Sequence, residues 1–533
     1  MTRAGILLLL SALWVAATAP ALADEDLPSL DSLGDVRAGD WTYQALADLA
    51  PQHGCRAAAA LASGAATAPP QLSRFEAAAL LQSCLEQVQR PTDATRRLVS
   101  QLAAELDQLK GSQQRLGSQI ESLGAQAFSA TTRLAFESFW VAGGNSYSGN
   151  AINTATNTYS IPGIGFNYFL PNGLSFNYDL RLNFSTSWSG KDLLYTRLRS
   201  GNFFPGSGFG NYPNLNMAIL DAAYGVGPIV FVDRLYYRFP IGKTLSVMVG
   251  PRVRNTEILG FRPQAYDGIL DFFTLAGAPT VYNKDNGAGA GFSWKQNVPK
   301  GQPYWIAAVS YLAGYGNDGD PAKGGLFTSN SANNVNLQLG GRGSNWALAA
   351  GYRYGTCLTD SRSGTALVMA FGSLYCWDSR PGTIPSGNNS SHSIGLGGYW
   401  QPLHSRWWPS ISLGWGYSRW NQSAELISDP RDNAIVSATQ SWAAMLQWNN
   451  VAGRSDAAGL AVGQGTMATA LRTGATPADG NLAMEAWYRL RVSDAISITP
   501  AVFYLANPLG QVLAAQGQQL NNLGLLIQTR FQF

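Results

Sequence analysis

The stretch 523–533 reads Leu523-Gly524-Leu525-Leu526-Ile527-Gln528-Thr529-Arg530-Phe531-Gln532-Phe533, so that Leu523, Leu525, Ile527, Thr529, Phe531 and Phe533 alternate with Gly524, Leu526, Gln528, Arg530 and Gln532. One face is apolar and the other largely polar, the period of two that belongs to a strand. The preceding run repeats the pattern, with Ile496, Ile498, Val502 and Tyr504 opposite Ser497, Thr499 and Ala501. Two such runs in succession make a hairpin of long strands. A soluble sheet rarely ends on a flat apolar edge, because unpaired N–H and C=O groups template aggregation. Closing the sheet gives the last strand a neighbour on each side, and a chain finishing on aromatic Phe533 after alternating residues is expected to be built around such a closure.

Composition says which solvent surrounds that sheet. Charged residues make up 13% of the 533, aromatics 11%, and Gly numbers 58; a water-soluble chain of this size carries about 25% charge. After the first 23 residues no apolar run reaches the roughly 20 residues a spanning helix needs. The fold class expected is therefore mainly β, a transmembrane antiparallel β-barrel whose strands expose every second residue to lipid. A net charge of +3 with no basic cluster gives no reason to expect nucleic acid as a partner.

The barrel is assigned residues 129–533, with clear strands at 134–140, 174–184, 194–199, 229–239, 245–253, 304–312, 345–354, 393–400, 410–417, 441–448, 482–492 and the final pair. At roughly 25 residues per strand and connection this span gives about sixteen strands, and bacterial barrels have even counts. Trp400, Trp407, Trp408, Trp415, Trp442 and Trp448 are expected in interfacial girdles. Long Gly/Asn/Ser-rich connections at 200–217, 314–333 and 355–392 are expected on the outer side, since such barrels keep short turns on the periplasmic side.

Upstream, Arg3, the apolar run 6–15 and Ala21-Leu22-Ala23 before Asp24 read as a cleavable export signal over residues 1–23. A permanent anchor helix is the alternative, disfavoured by the short apolar core. Residues 24–90 form a small helical unit in which Ser73 caps the second helix and Glu76, three residues on, completes a capping box. The four cysteines fall into local pairs, Cys55 with Cys84 and Cys357 with Cys376; export favours two disulfides, while a metal site, the rival, lacks close Cys/His spacing. Residues 91–128 carry heptads, with Val99, Leu106, Gln113, Ile120 and Ala127 at one seam position and Leu102, Leu109, Leu116 and Leu123 at the other. Two readings stand: an intermolecular coiled-coil spacer with identical chains, three of them for preference, or one amphipathic helix packed on the barrel's periplasmic rim.

No nucleophile motif, zinc helix, phosphate loop or dinucleotide fingerprint occurs, and His53, His392 and His404 are scattered, so neither an enzyme, a metal site nor a cofactor is expected. The constellation above background is basic. Alternation places Leu180, Leu182 and Phe184 outward, with Leu194, Leu198, Leu235, Tyr237, Phe239, Val247, Val249 and Val253. That leaves Arg181, Arg197, Arg199, Arg234, Arg238, Arg252 and Arg254 inward, together with Asp179. Arg on the lipid face costs about 2–4 kcal/mol at the midplane, which favours the same placement. A basic pore wall needs an acidic loop opposite, for which Glu257, Asp267 and Asp271, with Asp221 a weaker choice, are the candidates. The competing reading has these arginines satisfying Asp and backbone carbonyls within the wall.

The segments Gly34-Asp35-Val36, Asp40-Trp41, Tyr43-Gln44-Ala45-Leu46, His53-Gly54-Cys55, Arg74-Phe75-Glu76, Cys84-Leu85, 128–132 and 233–240 carry a resemblance over essentially the whole mature chain. It is similar to the major outer-membrane porins of cyanobacteria, also labelled iron-uptake porins and related to carbohydrate-selective porins of the OprB type. The N-terminal unit resembles a surface-layer homology (SLH) module. The resemblance implies passive passage of small polar solutes and inorganic ions, iron included, with sugars as an alternative. It also implies outer-membrane location, a periplasmic module binding peptidoglycan or its attached glycan, and a wall-binding role for Arg74, with Trp41 and Glu76 in the same motifs. In place of the family's Gly-rich connector the chain has the Ala-rich stretch 57–70. A third reading makes the chain mainly a tether between outer membrane and cell wall, its barrel only an anchor.

Overall fold

The computed structural model describes residues 35–36, 40–53, 55, 58, 61, 72–85, 88, 91–107, 109, 111, 131–160, 167–204, 206–210, 215–356, 362–371, 390–403, 407–421, 435–451 and 455–533. The export signal, most of the Ala-rich connector, the heptads beyond residue 111 and both Cys357 and Cys376 lie outside the described residues. The chain divides into two compact units, Met1–Ala127 and Phe128–Phe533.

In the first unit, β1 (Asp35–Val36) pairs with β2 (Leu72–Ser73), and three helices follow one another as α1 (Trp41–His53), α2 (Arg74–Leu85) and α3 (Asp93–Gln101). The capping box forms as the sequence leads one to expect: the Ser73 amide donates to Glu76 Oε2 at 2.8 Å and the Glu76 amide to Ser73 Oγ at 3.2 Å. Cys55 and Cys84 are disulfide-bonded, joining the end of α1 to α2. The apolar positions Leu98, Leu102 and Leu106 of the heptad helix are buried in one core with Leu46, Leu49, Ala77 and Leu81 of the same chain. The first two heptads therefore close on their own module, and a seam for other chains can begin only beyond them.

The second unit is a closed antiparallel barrel of sixteen strands. Its first strand is β3 (Thr132–Ser148); the connection that follows carries a separate small sheet, β4 (Ile152–Asn153), β5 (Thr158–Ser160) and β6 (Asn167–Phe169). The wall continues through β7 (Ser175–Thr186), β8 (Leu193–Asn202), β9 (Gly225–Ile241), β10 (Leu245–Arg254), β11 (Asn286–Lys295), β12 (Tyr304–Ala313), β13 (Asn333–Arg342) and β14 (Trp346–Thr356). It ends with β15 (Ser390–Trp400), β16 (Ser410–Asn421), β17 (Val436–Val451), β18 (Asp456–Leu471), β19 (Leu482–Arg491), β20 (Ile496–Ala506) and β21 (Asn521–Gln532). Each strand pairs with its neighbours in sequence, and β21 pairs with β3 from Asn521↔Ser148 to Gln532↔Glu137. Phe533 extends this seam by exchanging backbone hydrogen bonds of 3.0 and 3.1 Å with Phe136. In lipid each unpaired backbone group costs several kcal/mol, so the closure demanded by the terminal alternation is what makes the wall stable there.

Three strands, β11, β13 and β18, are not among the clear strands above, although 287–291 of β11 does read as an alternating, strand-like Gly-rich segment. Gly and Ala fill much of β11 and β18, and β13 opens on Asn333-Asn334, so the contrast between faces is weak in each. Connections alternate in length: 187–192, 242–244, 296–303, 343–345, 401–409, 452–455 and 492–495 are short, and 149–174, 203–224, 255–285, 314–332, 357–389 and 422–435 are long, with 472–481 and 507–520 intermediate. The start of β3 and the end of β21 both lie at the short-turn rim. Trp294, Trp305, Trp346, Trp400, Trp407 and Trp448 gather at the same rim as an aromatic belt. Trp415 and Trp442 do not join it: they pair with each other in the middle of β16 and β17.

Candidate permeation path

Sidedness follows from exposure. On β16, Leu413 and Trp415 are exposed, while Ser412 is buried and Gly414 faces the carbonyl of Ala276, so the connection 255–285 lies on the face away from lipid. This connection, the third of the long ones, runs inside the barrel. It leaves β10 beside the basic wall, passes over the inner faces of β12–β18 and reaches β19, where Tyr266 OH donates to Glu485 at 2.9 Å. Inner-wall side chains hold its backbone along the way: Gln338 donates to the Phe261 carbonyl at 3.1 Å, Ser412 accepts from the Ala265 amide at 2.9 Å and Ser441 donates to the Gly277 carbonyl at 2.9 Å.

Loops cover a further arc. Phe203, Phe209 and Leu220 of 203–224 and Ile269, Phe272 and Phe273 of 255–285 pack into one buried cluster with the inward Val141, Phe503 and Leu526 of β3, β20 and β21. Backbone bonds from the Asp221 amide to the Ile269 carbonyl (2.9 Å) and from the Asp271 amide to the Ile219 carbonyl (2.8 Å) stitch the two loops together. A charged knot sits at their junction. Lys284 Nζ lies 2.5 Å from both Asp221 Oδ1 and Asp271 Oδ1 and 2.7 Å from Thr274 Oγ1, and Arg362 of the 357–389 connection reaches Asp271 Oδ2 at 2.5 Å. Burial alone would push both carboxyls up; the cations beside them outweigh it and hold both below the usual carboxylate range.

The arc left beside this lining is β7–β11, of which β7–β10 carry the seven arginines. Arg181 pairs with Asp179 (2.7 Å) and Glu137 (3.0 Å), and Arg199 with Asp179 (2.6 Å) while stacking on Tyr224. Arg197 binds Asn183 Oδ1 and Tyr195 OH, both at 2.7 Å, with Asp233 3.8 Å away. Arg234 is fully buried between Asp233 (2.9 Å) and Glu257 (2.8 Å). Arg254 donates to Asn286 at 3.3 Å. Among the described residues Arg238, Arg252 and Arg254 make no ion pair within 4.0 Å, and Arg238 is exposed. A cavity of about 180 Å³ lies between Arg238, Ser246 and Ser293 of the wall and Glu257 of the loop.

Two expectations change. Val253 is not outward: it is fully buried with Tyr236, Met248, Ile258 and Leu312, because the β10–β11 register shifts between Gly250 and Val253 and the bulge turns the alternation over. The acidic loop residues do not face the wall as a free row. Glu257 is bound to Arg234 on the wall itself, Asp271 is neutralised by Lys284 and Arg362, and Asp267 pairs with Arg489 of β19 at 3.0 Å. Sequence reading missed Lys284, Arg362, Glu137, Asp233 and Glu485. A charged residue at an inward strand position is the signal that would have found Glu137 and Glu485; Lys284 and Arg362 lie in loops and carry none.

In the N-terminal unit, Arg74 Nε binds Glu105 Oε1 at 2.6 Å and Arg74 Nη2 the Gln101 carbonyl at 2.5 Å, tying α2 to the heptad helix. Trp41 lies under Arg97, 4.3 Å from its ring centre. Among the described residues no group of three or more His, Cys, Asp or Glu side chains could hold a metal ion.

A sixteen-stranded membrane barrel with a long connection folded into its lumen is the architecture of a porin. The chain belongs to the OprB family of carbohydrate-selective porins, whose match spans residues 92–533, and it is accordingly an outer-membrane porin. It is 28% identical to an uncharacterized protein of Nostoc sp., covering 91% of this chain and 83% of that one, and 29% identical to an uncharacterized protein of Synechocystis sp., covering 90% and 87%. Among solved structures, Pseudomonas putida OprB at high pH aligns with a TM-score of 0.48 and 10% identity over 76% of this chain and 94% of that chain. The anion-selective porin from Comamonas acidovorans aligns with a TM-score of 0.41 and 12% identity over 75% and 100%.

Proposed function

We propose that the barrel passes small polar solutes by diffusion along the lane between the β7–β11 wall and the loops inside the lumen, with sugars and inorganic ions, iron included, as the solutes. The observation that carries the reading is the charged lining. Arg181 and Arg197 are partly exposed at 12% and 18%, Glu257 at 22%, and Arg362 and Asp221 at 34% and 40%. Side chains of both signs along a wet lane exchange hydrogen bonds with a hydrated ion or a polyol while repelling apolar solutes. Their arginines stack on Phe139, Tyr195 and Tyr224, giving rigid polar and aromatic surface for a sugar ring to slide along. Three chains assemble in this proposal, and the module of residues 24–90 holds the barrel to peptidoglycan from the periplasm. The short-turn rim at which β3 begins supports that side, because short turns are periplasmic in outer-membrane barrels.

The tether reading keeps one observation in its favour, the apolar cluster that fills the lumen beside β3, β20 and β21. Single-channel recording in planar bilayers decides between them. Discrete conducting steps, with liposome swelling by monosaccharides, are expected of the channel; folded oligomers that give no steps and no swelling would leave the barrel an anchor.

A further inference from the structure

The loop inside the barrel rests on a track prepared for it. Where it crosses the wall, the inward positions are Gly340, Gly351, Gly395, Gly397, Gly414 and Gly416, and a Cβ built on Gly351, Gly395 or Gly416 would stand 2.9, 2.8 or 2.9 Å from Val281, Ala278 and Ala278. Contacts that close between heavy atoms are not tolerated, so a side chain at these positions would push the loop toward the lane. The glycines decide how near the loop can come; something must also pull it there. At the far end of the track, β19 turns Ala483, Glu485 and Trp487 inward and Met484 outward. Glu485 is 3% exposed, and its carboxylate accepts from the Leu270 amide at 2.7 Å, the Ile269 amide at 3.1 Å and Tyr266 OH at 2.9 Å. Trp487 Nε1 donates to the same Tyr266 oxygen at 2.9 Å. No cation lies within 4.0 Å of Glu485 among the described residues, so this buried carboxylate has loop donors as its partners.

We propose that Glu485 is a positioning residue of the permeation path: it clasps residues 266–270 against β19, and through the two-loop ladder at Leu220 and Leu270 it sets how far both loops stand from the arginine wall. The idea rests on the channel reading for its conductance consequences, but the clasp itself does not. A glutamine cannot replace it, because its one oxygen could serve the two donors that now meet Oε1 only while its NH2 group faced the Leu270 N–H that now meets Oε2. Removing the carboxyl leaves the buried Ile269 and Leu270 amides without an acceptor, the costly case for a hydrogen-bonding group.

The test uses the full chain, folded in detergent and in bilayers. Glu485→Gln and Glu485→Ala are expected to speed hydrogen exchange of residues 266–271 about tenfold or more, and to turn steady single-channel steps into flickering ones of altered size. Tyr266→Phe, which removes one donor of the clasp while leaving Glu485 in place, is expected to speed exchange of residues 266–271 and to add flicker, and it judges the clasp by the same outcomes if the Glu485 variants do not fold. Gly416→Leu, which lifts the loop from beneath, is expected to lower unit conductance. Unchanged exchange in the Glu485 variants removes the clasp. Faster exchange with conductance and flicker identical to the parent overturns its role in positioning the path. A parent that does not conduct defeats the channel reading instead, and exchange still judges the clasp.

Discussion

Replacing Arg238 separates a side chain that acts on passing ions from those that hold the wall. Arg238 is exposed and makes no ion pair within 4.0 Å, whereas Arg234, two inward positions away on β9, is fully buried between Asp233 and Glu257. A unit charge about 6 Å from a permeating ion contributes about 0.7 kcal/mol at the dielectric of water and about 3 kcal/mol at an effective dielectric of 20. At an exposed position, screened by 0.1 M salt with a Debye length of about 10 Å, the lower figure is the appropriate one. Because anion and cation respond with opposite sign, Arg238→Ser should reduce the anion-to-cation permeability ratio by about three- to tenfold. Reversal potentials in a salt gradient across a planar bilayer measure it. Arg234→Met should instead leave Glu257 without its cation and Asp233 with only Arg197, 3.8 Å away, cost about 3–5 kcal/mol of barrel stability and lower the melting temperature. If the Arg238→Ser and parent reversal potentials coincide, Arg238 does not face the path, and the assignment of the lane to β7–β11 fails with it.

Three further outcomes are expected. Asp479, 1% exposed, accepts from Thr365 Oγ1, the Ala468 amide and the Gln511 amide, and burial pushes its carboxyl up to about 6 despite those bonds. Its folded value exceeds the unfolded 3.8, so its contribution, about 3 kcal/mol, is full below the unfolded value and lost as pH rises through about 6. The parent should gain thermal stability relative to Asp479→Asn on acidification from pH 7 to 4.5, and parallel melting curves would count against this. Arg74→Ala should lower the stability of the N-terminal unit by about 1 kcal/mol through the lost Glu105 pair, and a peptidoglycan pull-down as efficient as the parent's would confine Arg74 to that structural role. If three chains assemble as proposed, deleting residues 112–127 should dissociate them in native mass spectrometry, and an unchanged oligomer would show that the barrel walls assemble alone.

The barrel was legible because membrane strands must alternate. Leu413, Trp415, Leu523, Leu525 and Ile527 all read outward in the sequence and are all exposed in the structure. Legibility failed where the outward residue shrank, as in the Gly- and Ala-rich β18, or where a bulge added a residue, as between Gly250 and Val253. Both failures have one cause. Alternation is a statement about contrast and parity, and a small residue removes the first while a bulge inverts the second.

The lumen was legible in its strands and opaque in its loops. Seven arginines that the alternation reads as inward announce a charged wall, because lipid excludes them from the other face, although the bulge before Val253 takes Arg252 and Arg254 off that alternation. Which carboxylate answers which arginine depends on contacts between residues far apart in sequence: Glu137 with Arg181, Glu257 with Arg234, Asp271 with Arg362. No period relates those positions. The stretch 268–283 is mostly apolar and small, Gly-Ile-Leu-Asp-Phe-Phe-Thr-Leu-Ala-Gly-Ala-Pro-Thr-Val-Tyr-Asn, which is unlike a solvated surface loop. Its apolarity is intelligible once the loop is seen to be packed on both sides, against the glycine track on one and the 203–224 connection on the other. A loop with no lipid face and almost no water face obeys the packing rules of a core. Such a segment is found in sequence by asking which connection of a membrane barrel is too apolar to be outside it.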